Sequence, residues 1–204
     1  MEWVKTNPNF GDLLPLNSVV TEQITFIKEI KSKMKKDSNY EKAMIFNTTG
    51  TVSQLFTKTL FYNSCPTCKK KLVEINVQLK CENCNAVVEN PEVKYALKFR
   101  FNDISDFIIC YAFDEGEKIL GRKPDELKEL FVNDENEFRN VLKQRLYKEF
   151  FLKIKASWGF YNERRILKFQ VIKANAPNYK SDCDEMIKRI EFYMENFSSK
   201  LKLI

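Results

Sequence analysis

Residues 94–101, KYALKFRF, alternate strictly: Tyr95, Leu97, Phe99 and Phe101 point one way, and Lys94, Lys98 and Arg100 the other. A period of two marks a strand with one face in a core. The same period returns in FFLKIKASWGFYNERRILKFQVIKA. There Leu152, Ile154, Ala156 and Trp158 alternate with Phe151, Lys153, Lys155 and Ser157. After the turn GFYNE, Leu167, Phe169 and Val171 lie on one side. Lys168 and Gln170 lie on the other, between Ile166 and Ile172. The pattern predicts a hairpin with one oily and one basic face. Residues 41–62, β-branched and apolar with one glycine, predict a strand bent near Gly50. DFIICYAFDEG predicts a further strand ended by turn residues. Residues 124–146 change to helical spacing, with Pro124 in a first turn and NDENEF recapping a second helix.

Two flanks are helical by pattern. Residues 19–36 carry Ile24, Ile27, Ile30 and Met34 at helical spacing. Residues 181–203, opened by Ser181 or Asp182 as a cap, carry Met186, Ile190, Met194 (or Tyr193), Phe197 and Leu201 at spacings of three and four. Such a stripe either packs on its own domain or seeks partner helices; its narrowness and length favour partners. The expected layout is an N-terminal extension over 1–40, a β domain over 41–178 and an assembly helix over 179–204. Five strands with a helix between the third and fourth match a mainly β OB-fold barrel.

Between the first and second strands lies CPTCKKKLVEINVQLKCENC. Cys65 and Cys68 form one C-x2-C pair and Cys81 and Cys84 the other, twelve residues apart. Two thiolates on each of two tight turns complete a tetrahedron, the pattern of a zinc ribbon, here at about 61–92. The linker predicts one or two strands, with Leu72, Glu74, Asn76 and Gln78 on one side and Val73, Ile75, Val77 and Leu79 on the other. Four thiolates leave no open position, so the expected cofactor is one structural Zn2+. Cys110, in an apolar run, reads as a small hydrophobe, and Cys183 as incidental.

Composition narrows the chemistry. The 204 residues include no histidine, so the commonest general base and every His-based site are excluded. No Gly-rich phosphate loop or matched carboxylate pair replaces it, and no reaction is expected. Lys and Arg exceed Asp and Glu by 34 to 28, which permits a polyanionic partner without demanding one. No apolar run spans a bilayer and no secretory leader is evident, so the chain reads as soluble, intracellular and reduced.

The patches YNSCPTC, KCENC, KYALKFRFNDISDF, AFDEGEKILGRKPDEL and KIKASWGFYNERRILKFQVIKANAPNY, with the terminal helix, resemble one family in order and spacing. It is the C-terminal DNA-binding domain of the replication protein A large subunit, including telomere-specialised paralogs. The resemblance runs from about Ala43 to the end. It implies an OB-fold with a zinc ribbon after its first strand, and a terminal helix that joins two smaller OB subunits in a hetero-oligomer. It also implies two base-stacking aromatics, at Phe113 and Tyr161, with Phe160 and Trp158 as neighbours in the same turn. Lys98, Arg100, Lys153, Lys155 and Lys168 would share the outer sheet face, and Arg164 and Arg165 would flank the turn. The family's upstream OB domains are not in this sequence, which fits a fragment or a short paralog. The expectation is a nuclear, non-catalytic single-stranded DNA binder in replication, repair or telomere maintenance. The rival expectation is an OB-fold scaffold in a larger DNA-processing complex, with little DNA contact of its own.

Overall fold

The inward positions of five strands close on one another into a barrel. In the computed structural model the described residues are 24–36, 42–180 and, beyond these, 183, 184, 187, 190, 191 and 194. The barrel strands are β1 (Met44–Phe56), β7 (Leu97–Asn102), β8 (Phe107–Ala112), β9 (Glu149–Tyr161) and β10 (Arg164–Asn175), closed in the order β1-β7-β8-β10-β9. All pairs are antiparallel except β8 with β10. Leu97, Phe99, Phe101, Cys110, Ala112, Ile154 and Ala156 are fully buried inside it. The alternation therefore reads correctly on β7 and β9. On β10 a register shift between Val171 and Lys173 moves the inward set from Phe169 and Val171 to Ala174, leaving Ile172 outside.

β1 serves two neighbours. Its first half pairs with β9 and its second with β7, and Thr51 belongs to both ladders. At the change-over a Cβ on Gly50 would lie 2.2 Å from the Asn102 carbonyl oxygen. The glycine is thus required by the close approach of β7, while the irregularity in β1 lies just beyond it, between Val52 and Gln54. Gly50→Ala forces the β1–β7 crossing apart, and we expect a loss of about 1–3 kcal/mol. It should appear as a lower urea midpoint at unchanged m-value.

One end of the barrel is closed by α2 (Gly116–Leu120), α3 (Pro124–Asn133) and α4 (Glu135–Lys143), which bury Ile119, Leu120, Leu127, Phe138 and Val141. Pro124 opens α3, and the Asp134 carboxylate accepts from the Glu137 N–H at 2.9 Å, so the interruption caps a second helix as its sequence predicts. The other end is crossed by α1 (Ile27–Lys36), with Ile27, Ile30 and Met34 buried. Its N-terminus is held by the β7–β8 loop: Asp103 Oδ2 accepts from the Ile27 N–H at 2.7 Å. Its C-terminal end meets β9, where the Trp158 indole N–H donates to the Met34 carbonyl at 3.2 Å. The helix starts later than the 19–36 pattern predicts. Ile24 instead makes a parallel bridge with Asn47, because the Thr25 N–H donates to the Asn47 carbonyl and Asp103 fixes the first turn at Ile27. Residues 19–23 lie outside the described residues.

The ribbon is inserted between β1 and β7. β2 (Phe61–Ser64) and β6 (Glu92–Tyr95) form its stem, and β3 (Val73–Ile75), β4 (Gln78–Cys81) and β5 (Ala86–Val87) form its tip. The single strand expected over 41–62 is therefore two strands in different sheets. The linker reverses at Asn76–Val77, both at positive φ. That turn corrects the expected sidedness: Leu79 pairs with Glu74, opposite the face of Val73 and Ile75, and packs toward the cysteines. Among the described residues no helix is long and apolar enough to cross a membrane.

Candidate metal centre and nucleic-acid interface

The two C-x2-C turns have matching backbones. Lys69 follows the second cysteine of one and Asn85 that of the other, and both have positive φ. The Lys69 N–H donates to the Cys65 carbonyl at 2.9 Å and the Cys84 N–H points at Cys81 Sγ at 3.4 Å. The sulfurs of Cys65, Cys68, Cys81 and Cys84 lie within 4.8 Å of one another. The donor set suits a metal ion. Backbone N–H donors of Cys68 and Thr67 pull the Cys65 thiol down to about 6, whereas hydrogen bonds with Cys68 and Cys81 push Cys84 up to about 12. Four thiolates this close ionise together only when a cation shares their charge. Cys110, by contrast, is sealed in the barrel, and burial pushes its thiol far up.

The basic positions lie on the outside of the barrel, and the pairing register spreads them around it rather than gathering them on one face. Lys98 lies opposite Tyr111, Tyr111 opposite Gln170, and Gln170 opposite Lys155. One lateral row thus joins Lys98 to Lys155 across three strand spacings of about 4.8 Å, which in a closed five-stranded barrel turns the two lysines to different sides. The row continues to Ile45 on β1, whereas Lys98 itself pairs with Phe56, which is the stagger of a strongly sheared barrel. Arg100 sits opposite Ile109, two residues further along β7. Lys153 lies opposite Asn47 and Lys173. Lys168 lies across Gly159, where a Cβ would meet its side chain at 2.9 Å.

These cations are held by rings that sequence reasoning passed over. Lys98 Nζ stands 5.1 Å from the Phe56 ring centroid and 5.8 Å from that of Tyr111. The Arg100 guanidinium stacks 3.7 Å from Phe107. The signal for Phe107 and Tyr111 was present: in FIICYA they alternate with the buried Ile108, Cys110 and Ala112. Phe56 could not be found this way, because its place follows from the β1–β7 register.

Phe113 follows β8, 38% exposed, with its ring edge on Tyr62 at 6.5 Å between centroids. It borders two hollows. The larger, about 730 Å³, lies between ribbon and barrel and is lined by Lys58, Lys71, Tyr62 and Glu74 among others. The smaller, about 330 Å³, is edged by Glu92, Asp114, Glu117 and Asp125 around Lys94. The second is net acidic and would repel a polyanion, whereas in the first Lys58 and Lys71 outnumber Glu74.

At the β9–β10 turn, Asn162 and Glu163 both have positive φ. Phe160 is 73% exposed, and Arg164 and Arg165 are exposed beside it. Trp158 is half-buried against the core, bonded to α1, with the Arg165 guanidinium 4.9 Å over its ring. Its ring is thus already engaged, whereas that of Phe160 is open. The Tyr161 backbone pairs with Arg164; its side chain lies outside the described residues. In the segment after β10 the described residues 183, 184, 187, 190, 191 and 194 are helical, and Ile187, Ile190 and Met194 are exposed. Met186, Tyr193, Phe197 and Leu201 lie outside the described residues.

The sequence model described as "Replication factor-A C terminal domain" matches residues 45–186. The chain is 26% identical over 149 residues to Replication factor A protein 1 of Schizosaccharomyces pombe, covering 72% of this chain and 24% of that protein. It is 38% identical over 88 residues to the Replication protein A 70 kDa DNA-binding subunit of Tetrahymena thermophila, covering 43% of this chain and 13% of that protein. The chain thus spans about a quarter or less of the length of these relatives. Two solved structures share the fold. A Replication Protein A heterotrimer bound to ssDNA gives a TM-score of 0.72 at 21% identity, covering 81% of this chain and 39% of that one. Yeast RPA bound to ssDNA gives 0.71 at 22% identity, covering 84% and 97%.

Proposed function

The chain belongs to the Replication factor-A C terminal domain family, and we propose that it is a non-catalytic single-stranded DNA-binding subunit of a replication protein A-like complex. The observation that carries this reading is the outer face: Lys98 lies opposite Tyr111, two residues before Phe113 at the ribbon groove, and Arg100 continues the row along β7 toward Phe107. Single strands are held by cations that follow phosphates and by rings on which bases stack, and stacking is tolerant of sequence. The OB-fold uses this face and the loops beside it for oligonucleotides. Cys65, Cys68, Cys81 and Cys84 would hold one Zn2+, which when bound supplies a cross-link between the two turns. Cys65 and Cys81 are buried with Leu72, and this small cluster aligns the wall that carries Lys71.

The exposed Ile187, Ile190 and Met194 support assembly with smaller OB-fold subunits in a nuclear hetero-oligomer. Replication, repair and telomere maintenance are the processes proposed for it. The same three side chains favour a second reading, in which the domain is a scaffold in a larger DNA-processing complex. Filter binding with labelled oligo-dT separates the two. The first reading expects saturable binding whose log Kd changes by about 0.7 per log unit of salt for each phosphate neutralised. An isolated chain that shows no salt-sensitive binding excludes the first reading.

A further inference from the structure

Resting on that reading, we infer that α1 is part of the strand-binding surface, with Lys28 and Lys35 holding phosphates of a strand that leaves the β7–β8 face, and Lys31 between them seating the helix on Asp106 and Phe107. These lysines recur at spacings of three and four, so they form one stripe beside the buried stripe of Ile27, Ile30 and Met34. The structure shows which way it looks. Lys31 Nζ stands 4.8 Å from the Phe107 ring centroid, and the Arg100 guanidinium stacks on the same ring at 3.7 Å. Arg100 Nε is buried without a hydrogen-bond partner. Phe107 therefore joins the helix stripe to the cation row of β7. At its other end the helix is bonded to Trp158, on which Arg165 stacks, so α1 bridges the sheet face and the arginines of the β9–β10 turn.

Of the two nearby acids, one is matched by Lys31 and the other is filled by N–H groups. Asp106 pairs with Lys31 at 2.7 Å. Asp103 is filled by the Ile27, Ser105 and Asp106 N–H groups and the Ser105 hydroxyl. Among the described residues no carboxylate pairs with Lys28 or Lys35, and both are exposed. On the far side of the helix Lys33 pairs with Glu29 at 2.8 Å, and Lys36 is exposed there too.

Two charge-matched variants test the assignment: K28Q/K35Q against K33Q/K36Q, each titrated with oligo-dT over a range of salt. K28Q/K35Q should lower the salt slope by about 1.4, two phosphates at ~0.7 each, and weaken binding about tenfold at 0.1 M salt. K33Q/K36Q should stay within about twofold of the parent by the same argument. Equal losses in both variants, or none in K28Q/K35Q, overturn the role of α1 while leaving single-strand binding intact. A parent chain that binds no oligo-dT overturns the underlying reading, and this one with it.

Discussion

Cys81→Ser is expected to release the metal and melt the ribbon between Phe61 and Tyr95 while the barrel stays folded. The ribbon has almost no core of its own: Cys65, Leu72 and Cys81 are buried, and Cys68, Leu79 and Val88 only pack against them. Val73, Ile75, Val77 and Val87 face solvent. Ordering each residue costs roughly 1–2 kcal/mol of backbone entropy. Three buried side chains, at about 1.5–3 kcal/mol each, do not offset that over such a segment. Structural zinc in small finger peptides contributes about 10–16 kcal/mol, a term larger than these few buried side chains supply. The barrel buries Leu97, Phe99, Phe101 and Ile154 independently of the metal. Hydrogen exchange should therefore show amides of β3 and β4 losing protection in Cys81→Ser, or after chelation, while those of β7 and β9 keep it. Elemental analysis of the parent should give one zinc per chain. Because thiolates are the ligands, acidification should release the ion by protonating them. Retained protection in a metal-free chain would refute the cross-link.

What the sequence revealed and what it hid divide along one physical line. Features set by local chemistry were legible. The β7 alternation fixed the inward set Leu97, Phe99 and Phe101, the cysteine spacing fixed the four sulfurs, and NDENEF located the Asp134 cap. Features set by pairing between distant segments were not. Nothing local says that Tyr95 belongs to the stem and Leu97 to the barrel, because both are buried and in phase. The turn at Asn76–Val77 lacks the glycine that marks such turns, so the linker's sidedness was misjudged at Leu79. Trp158 sits in phase with the core, yet its surroundings depend on a helix more than a hundred residues earlier in the chain. The Phe56 ring beside Lys98 was hidden for the same reason, because it reaches the lysine only through the β1–β7 register.

Phe113→Ala combined with Tyr161→Ala is expected to weaken oligo-dT binding more than any single Lys→Ala on the sheet face. Each base stacked on an aromatic ring contributes about 1–3 kcal/mol, so each ring should account for roughly five- to hundredfold in affinity. A single lysine contributes one phosphate contact, which salt screens. The two kinds of loss differ in their signature as well as in size. Losing rings should weaken binding at every salt concentration and leave the salt slope unchanged; losing Lys98 should flatten the slope. Stability provides the control. Phe113 is 38% exposed and touches Tyr62 edge-on, so removing it leaves no sealed cavity and should lower the melting temperature little. Trp158→Ala strips the Met34 carbonyl of its donor and opens the α1 end of the core, so it should destabilise the fold. A double variant that binds oligo-dT as tightly as the parent, with the fold intact, would mean that the bases lie elsewhere on the barrel.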